Sequence, residues 1–171
     1  PNNQDPGLAA DRLFADPDGM GGHAGGDVAS ALTTKTMADI EGQPTGDAVE
    51  SARALKAGLL DANRMLRSTV KDRPELAGMG TTFTGFLTVG DQLSLAHIGD
   101  SRLYLLRNGK MRQVTRDHTF VQRLVDSGRI TEEEAKTHPR RSVLMRVLGD
   151  VDSSPEIDTE VLDSQVGDVW L

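Results

Sequence analysis

Three aspartates stand where the chemistry of hard metal ions could be built. Asp5 closes Asn2-Asn3-Gln4-Asp5, Asp18 is followed by Gly19 in Asp16-Pro17-Asp18-Gly19-Met20-Gly21-Gly22-His23, and Asp100 lies in His97-Ile98-Gly99-Asp100-Ser101-Arg102. Hard divalent cations take oxygen ligands: carboxylates, backbone carbonyls and water. A glycine directly after a carboxylate lets its own carbonyl turn toward the same ion. Two such ions about 3.5–4 Å apart can clamp an in-line phosphoryl displacement. An Asp-Gly pair is also an ordinary turn signal, so no one of these sites decides the chemistry alone.

Other chemistries are excluded or find weaker support. There is no cysteine, which removes disulfide scaffolds, zinc ribbons and thiol nucleophiles. The segment Asp18–Gly26 holds five glycines in nine residues, a density that marks sharp turns or close backbone approach. Glycine before a helix can cradle a phosphate, but the order G-x-x-x-x-G-K-[ST] is missing and the third glycine of a dinucleotide fingerprint is misplaced. No His-Glu-x-x-His run and no G-x-S-x-G elbow occurs, which argues against zincins and α/β-hydrolases. His97 sits in an alternating apolar stretch and reads as a structural histidine hydrogen-bonded near Asp100. His23 follows the glycines and either caps or orients them. Arg140 and Arg141 could hold a phosphate or be solvated.

The elements that must position these residues follow from periodicity. Val28, Leu32 and Ile40 predict a helix of about three turns, with Asp27 as its cap and its end before Gly42. Val49, Ala52, Leu55, Leu59, Ala62, Leu66 and Val70 draw one continuous stripe on a long helix, opened by Asp47 with Glu50 and closed by Pro74. From Thr81 the period changes to two. Strands are predicted over 82–89, 92–98, 102–107 and 110–115, with Gly90-Asp91 a turn and Asn108-Gly109 a hairpin turn. That is an antiparallel meander, not βαβ alternation. Short helices are predicted over 117–127 and 131–138, the second with a Thr131/Glu134 capping box. Residues 142–148 fit helix and strand about equally. A strand is predicted over 156–161, a turn at Gly167-Asp168, and a last strand from Val169.

The chain has 171 residues and a formal charge of −7, so one domain is expected. The acidic balance argues against bulk nucleic-acid binding. No apolar run approaches the ~20 residues of a membrane helix, and no signal-peptide pattern opens the chain. Beginning at Pro1 and stopping at Leu171 within an apolar run, it reads as part of a longer protein.

Five segments stand in order: Asn3-Gln4-Asp5, Asp18 to Ser30, Gly78-Met79-Gly80-Thr81-Thr82, His97 to Arg102, and His138-Pro139-Arg140-Arg141-Ser142. Together they resemble the bacterial metal-dependent Ser/Thr protein phosphatases of the 2C type, partners of PASTA-type Ser/Thr kinases. The resemblance runs over essentially the whole chain. It implies an α+β fold, an antiparallel β-sandwich flanked by helix pairs, here truncated at both ends. Residues 1–171 would be a partial catalytic domain carrying a mobile flap over about 117–142. It also implies two Mn2+ or Mg2+ ions, with a third in bacterial members. Asp18 matches the carboxylate that bridges two metals, and Gly19 the residue whose carbonyl binds one of them. Asp5 matches an outer carboxylate that orients metal-bound water. Asp100 and Ser142 match contributors to the third site. The implied reaction is attack of a metal-bridged hydroxide on phosphoserine or phosphothreonine in proteins, Ser/Thr kinases and their targets among them, in the cytoplasm.

The departures from the family pattern shape a second expectation. That pattern continues past Leu171 with two further metal-binding aspartates, and places a phosphate-holding arginine just before Pro1. Met20 stands where eukaryotic relatives carry a histidine. Asp16-Pro17 replaces an apolar strand, which implies a frayed strand or a bulge, because proline removes a ladder donor and a buried Asp16 would be costly. The alternative reading is a phosphatase-like fragment that binds phosphoproteins without turnover.

Overall fold

The computed structural model describes residues 13–41, 46–149 and 154–171. Asp5, and with it the expected outer carboxylate, lies outside them. The chain opens with strands β1 (Leu13–Asp16) and β2 (Gly19–Met20), followed by helices α1 (Gly22–Ala38) and α2 (Ala48–Asp72). After a 3-10 turn at Pro74–Leu76 come β3 (Gly80–Thr81), β4 (Phe83–Val89), β5 (Gln92–Ile98), β6 (Tyr104–Arg107) and β7 (Lys110–Gln113). The short helices α3 (Phe120–Asp126) and α4 (Glu132–Lys136) precede β8 (Asp158–Asp163) and β9 (Val169–Trp170).

The main sheet has the order β1-β4-β5-β8, all antiparallel. Its register sorts the side chains onto two faces. Phe83 pairs with Ile98, Gly85 with Ala96 and Leu87 with Ser94 on the face toward the helices, where the Ser94 hydroxyl donates to the Ala48 carbonyl of α2 at 2.6 Å. Thr84 with His97 and Phe86 with Leu95 fall on the opposite face, because alternate residues of a strand point to opposite sides. That far face meets a second sheet, ordered β7-β6-β9, through Phe14, Phe86 and Trp170, whose rings lie 5.2 Å and 6.3 Å apart in succession. One helix pair and two sheet layers are thus present among the described residues, an α+β sandwich as expected.

α2 forms because its apolar residues recur every three or four positions. Leu55, Leu59, Ala62 and Leu66 are at most 1% exposed, and burying each leucine is worth roughly 1.5–3 kcal/mol. Asp47 caps it, accepting from the Glu50 N–H at 2.9 Å. Val49, expected on the stripe, is instead exposed, and Ala48 is buried in its place. α1 departs further from expectation. It begins at Gly22, not after Asp27, and so draws Gly25 and Gly26 into the helix. Glycine is a poor helix former, and the reason for its use here is steric. A Cβ on Gly26 would lie 3.1 Å from the Gly19 carbonyl group, and one on Gly25 would lie 3.2 Å from the Met79 Cβ.

β1 is an ordered edge strand, with Asp16 opposite Thr84 and exposed to solvent. Pro17 follows the last ladder pair, so neither the burial cost nor the fraying expected of Asp16-Pro17 arises. The Asn108-Gly109 turn has φ of 53° and 73°, as a type I′ hairpin requires. Residues 142–148 form neither helix nor strand. They run past the start of α3 through single bridges, Thr119 to Leu144 and Thr81 to Leu148. α4 carries the expected Thr131/Glu134 capping box.

Candidate functional site

Asp18 lies between β1 and β2, and its backbone is fastened to Thr82. The Asp18 carbonyl accepts from the Thr82 N–H at 3.0 Å, and the Asp18 N–H donates to the Thr82 hydroxyl at 3.3 Å. The same hydroxyl lies 3.1 Å from the Ser101 hydroxyl. Thr82 is 2% exposed and joins the Asp18 turn to the turn that carries Asp100. Gly99 adopts φ +112°, and a Cβ there would sit 2.5 Å from the Thr82 side chain. Only glycine tolerates both that conformation and that approach. The two carboxylates therefore reach one end of the sandwich from separate strands.

The glycine-rich segment serves packing. A Cβ on Gly19 would fall 2.0 Å from the Gly26 carbonyl oxygen, and one on Gly21 2.6 Å from the Met79 Cα. These contacts let α1 sit directly on β2 and β3. Asp18 and Gly19 border an open cleft of about 480 Å3 that also takes in His23 and Asp27. His23 is exposed near the start of α1 and faces this cleft.

Asp100 is half-buried, and burial, then repulsion from Asp117, and less strongly from Asp18, pushes its pKa up. Burial disfavours the charged carboxylate, and neighbouring carboxylates add to that. Among the described residues neither carboxylate stands in an ion pair, and the rise at Asp100 is only partly offset by its own backbone N–H and by the charge of Arg102. Asp117, in contrast, is held by Arg102 through two bonds of 3.0 and 2.7 Å. That pairing, followed by the Tyr104 hydroxyl, raises the Arg102 pKa further above its ordinary range. Ser142 is exposed in the turn after α4 and makes no hydrogen bond among the described residues. Arg140 packs over the Phe120 ring at 5.8 Å, and Arg141 donates to the His138 carbonyl at 3.1 Å.

His97 is 1% exposed and structural, but its partners are not at Asp100. Nδ1 lies 2.8 Å from the Thr84 hydroxyl, and Nε2 donates to the Arg116 carbonyl at 2.8 Å. Burial pulls its pKa down, opposed by the bond to Arg116. The β5–β8 register sets Asp158 opposite His97, and His118 stacks obliquely on His97 at 4.6 Å. His97, His118 and Asp158 form the one group of three His, Asp or Glu side chains within a cation's reach among the described residues. Asp117, His118 and Asp158 carry no motif signal of their own. Asp158 reaches this place only through strand register.

A profile of the family described as protein phosphatase 2C matches residues 1–160. The chain is 46% identical to the serine/threonine protein phosphatase PstP of Mycobacterium tuberculosis over 171 residues, covering 99% of this chain and 32% of that protein. It is 38% identical to the serine/threonine phosphatase stp of Listeria welshimeri over 156 residues, covering 90% of this chain and 62% of that protein. The crystal structure of the PstP catalytic domain in complex with two manganese ions superposes with a TM-score of 0.79 at 43% identity, covering 93% of this chain and 65% of that one. The chain thus spans about a third of the mycobacterial relative and under two thirds of the Listeria one.

Proposed function

Because the chain belongs to the protein phosphatase 2C family, we propose that it carries part of the active site of a metal-dependent phosphatase for phosphoserine and phosphothreonine in proteins. The observation that carries this reading is the pair Asp18 and Asp100. Neither carboxylate stands in an ion pair among the described residues, both turns are fastened to Thr82, and burial with carboxylate repulsion raises Asp100. Oxygen donors with uncompensated charge suit Mn2+ or Mg2+, which accept the same ligands. When bound, such ions neutralise phosphoryl charge and activate water.

The chain's own residues divide the remaining work. Asp18 and the Gly19 carbonyl would hold the first ions, and Asp100 with Ser142 a third. Thr82 fixes the spacing between the two turns. Arg102 holds Asp117 in place by two bonds and its charge tempers, without cancelling, the repulsion that Asp117 exerts on Asp100. Asp5 takes the outer position that its place in the motif assigns. Residues 117–142 act as the flap beside this end of the sandwich, and residues 1–171 as part of one catalytic domain. The substrates are phosphoproteins, Ser/Thr kinases and their targets among them, in the cytoplasm. Among the described residues no helix is long and apolar enough to cross a membrane.

One observation favours a second reading, phosphoprotein binding without turnover. Among the described residues Asp18 and Asp100 belong to no three-membered ligand group, and two close dications need several anions to offset their repulsion. Mn2+-dependent hydrolysis of a phosphothreonine peptide, run beside Asp18→Asn, separates the two. Turnover that needs Mn2+ and is lost in Asp18→Asn establishes the phosphatase. Peptide binding with no turnover under any metal establishes the second reading.

A further inference from the structure

The trio of His97, His118 and Asp158 has ligand atoms within 4.8 Å of one another, yet its hydrogen bonds commit those atoms elsewhere. His118 Nδ1 accepts from the Gly99 N–H at 3.0 Å. A nitrogen that accepts carries no proton, so the imidazole proton sits on Nε2. From there it donates to Asp158 Oδ2 at 2.7 Å. A cation on Nε2 would require the proton to move to Nδ1, directly against the Gly99 N–H. Arg146 Nη1 also approaches Nε2 at 3.3 Å, but it pairs with Asp158 Oδ1 at 3.6 Å while its Nη2 pairs with Glu156 at 2.9 Å, which leaves the shorter 2.7 Å bond from Nε2 to Asp158 in place.

The backbone of His118 completes the grip. Its N–H donates to the Gly99 carbonyl at 2.8 Å, and its carbonyl accepts from the Met145 N–H at 2.8 Å. One buried residue thus satisfies both peptide groups of Gly99, immediately before Asp100, while tying that turn to the segment that leaves the flap. On the other side Gly99 packs so closely on Thr82 that a Cβ would lie 2.5 Å from its side chain.

We propose that His118 is a positioning residue for the Gly99–Asp100 turn, with Asp158 fixing the tautomer that lets Nδ1 accept from Gly99. The loop is held from the flap's base, so the placement of Asp100 is coupled to residues 118–120 and 143–145. The functional part of this role rests on the phosphatase reading, in which Asp100 is a metal ligand. The hydrogen-bond geometry does not.

Asn places an acceptor close to where Nδ1 stands, whereas Gln reaches toward Asp158 and leaves Gly99 without a partner. The experiment is run on the 171-residue chain. Amide exchange at Gly99 is measured in wild type, His118→Asn, His118→Gln and Asp158→Ala. Binding of Mn2+ is followed by the electron paramagnetic resonance signal of the free ion. Global stability is measured in urea. His118→Gln is expected to speed Gly99 exchange by about tenfold, the scale of losing one buried hydrogen bond, and to weaken Mn2+ binding. His118→Asn is expected to keep Gly99 exchange within about threefold of wild type even at equal loss of global stability. Asp158→Ala is expected to fall between them.

Equal Gly99 exchange in His118→Asn and His118→Gln would overturn the proposal. So would a proton on Nδ1 of His118 in the nitrogen-15 imidazole spectrum of the wild-type chain, a measurement that needs no variant to fold. If Gly99 exchange responds as expected and Mn2+ binding does not, the positioning role stands and the assignment of Asp100 as a metal ligand falls.

Discussion

Replacing Gly19 by alanine tests how the Asp18 turn is built. A Cβ at Gly19 would lie 2.0 Å from the Gly26 carbonyl oxygen, 2.6 Å from its carbon and 2.8 Å from its Cα. Ordinary contact distance is about 3.5 Å, so α1 and β2 would have to part by roughly 1.5 Å. All three atoms are backbone, so no rotamer change relieves the clash. β2 cannot yield easily, since Gly19 pairs with Thr81 and Asp18 is bonded to Thr82. Overpacking costs ~1–3 kcal/mol and occasionally more, and a backbone-to-backbone clash belongs at or above the top of that range. Gly19→Ala is therefore expected to lose about 3 kcal/mol or more in urea unfolding and to weaken Mn2+ binding. Gly26→Ala offers the sharper sign. Helix propensity alone would make it more stable by ~1 kcal/mol, whereas its Cβ at 3.1 Å from Gly19 makes a net loss of about 1 kcal/mol the expectation. A Gly19→Ala chain within 1 kcal/mol of wild type (roughly the average cost of a point substitution), or a stabilised Gly26→Ala chain, would refute the direct seating of α1 on β2.

Two further expectations concern the frame around the site. Arg107 holds Asp168 by bonds of 2.8 and 2.6 Å, and this pairing lowers the Asp168 pKa from 3.8 to about 2. A depressed carboxylate pKa adds stability that is complete above the unfolded value and is lost as pH falls through the folded one. Urea midpoints should therefore drop between about pH 4 and pH 2, and Asp168→Asn should remove that part of the slope. A variant with the full wild-type slope would contradict the pairing. Asn63, 0% exposed in α2, accepts from the Gly149 N–H at 2.7 Å. Asn63→Leu strands that donor and is expected to cost ~1–3 kcal/mol in urea unfolding. A loss below about 0.5 kcal/mol would show that Gly149 is held by something else.

Legibility in the sequence followed the range of the contacts involved. α2 was legible because its stripe and its Asp47 cap are local signals. The hairpin at Asn108-Gly109 was legible because a two-residue turn dictates its own φ values. The start of α1 was not, because glycine propensity argues against a helix exactly where the tertiary packing demands glycine. The path of residues 142–148 was not, because it is set by bridges to Thr81 and Thr119, and those residues lie far away in sequence. Asp18 and Asp100 stood out through neighbouring glycines, and those glycines mark close approach: Gly99 against Thr82, Gly19 against Gly26.

Residues that announce chemistry differ in this from those that place it. The Asp-Gly and Gly-Asp pairs are visible because one turn holds both partners. His118 and Asp158 are silent in the sequence, since the one is aligned by the Gly99 peptide and the other by the register of β8 on β5. A carboxylate with uncompensated charge is unstable in position unless the turn beneath it is fixed from more than one side. At Asp100 those sides are Thr82 and His118, drawn from the junction of β3 and β4 and from the loop after β7. The glycine between them lets both approach. The turn that presents Asp100 is therefore a joint of three segments, and a change at any of the three should reach Asp100 before it reaches the core.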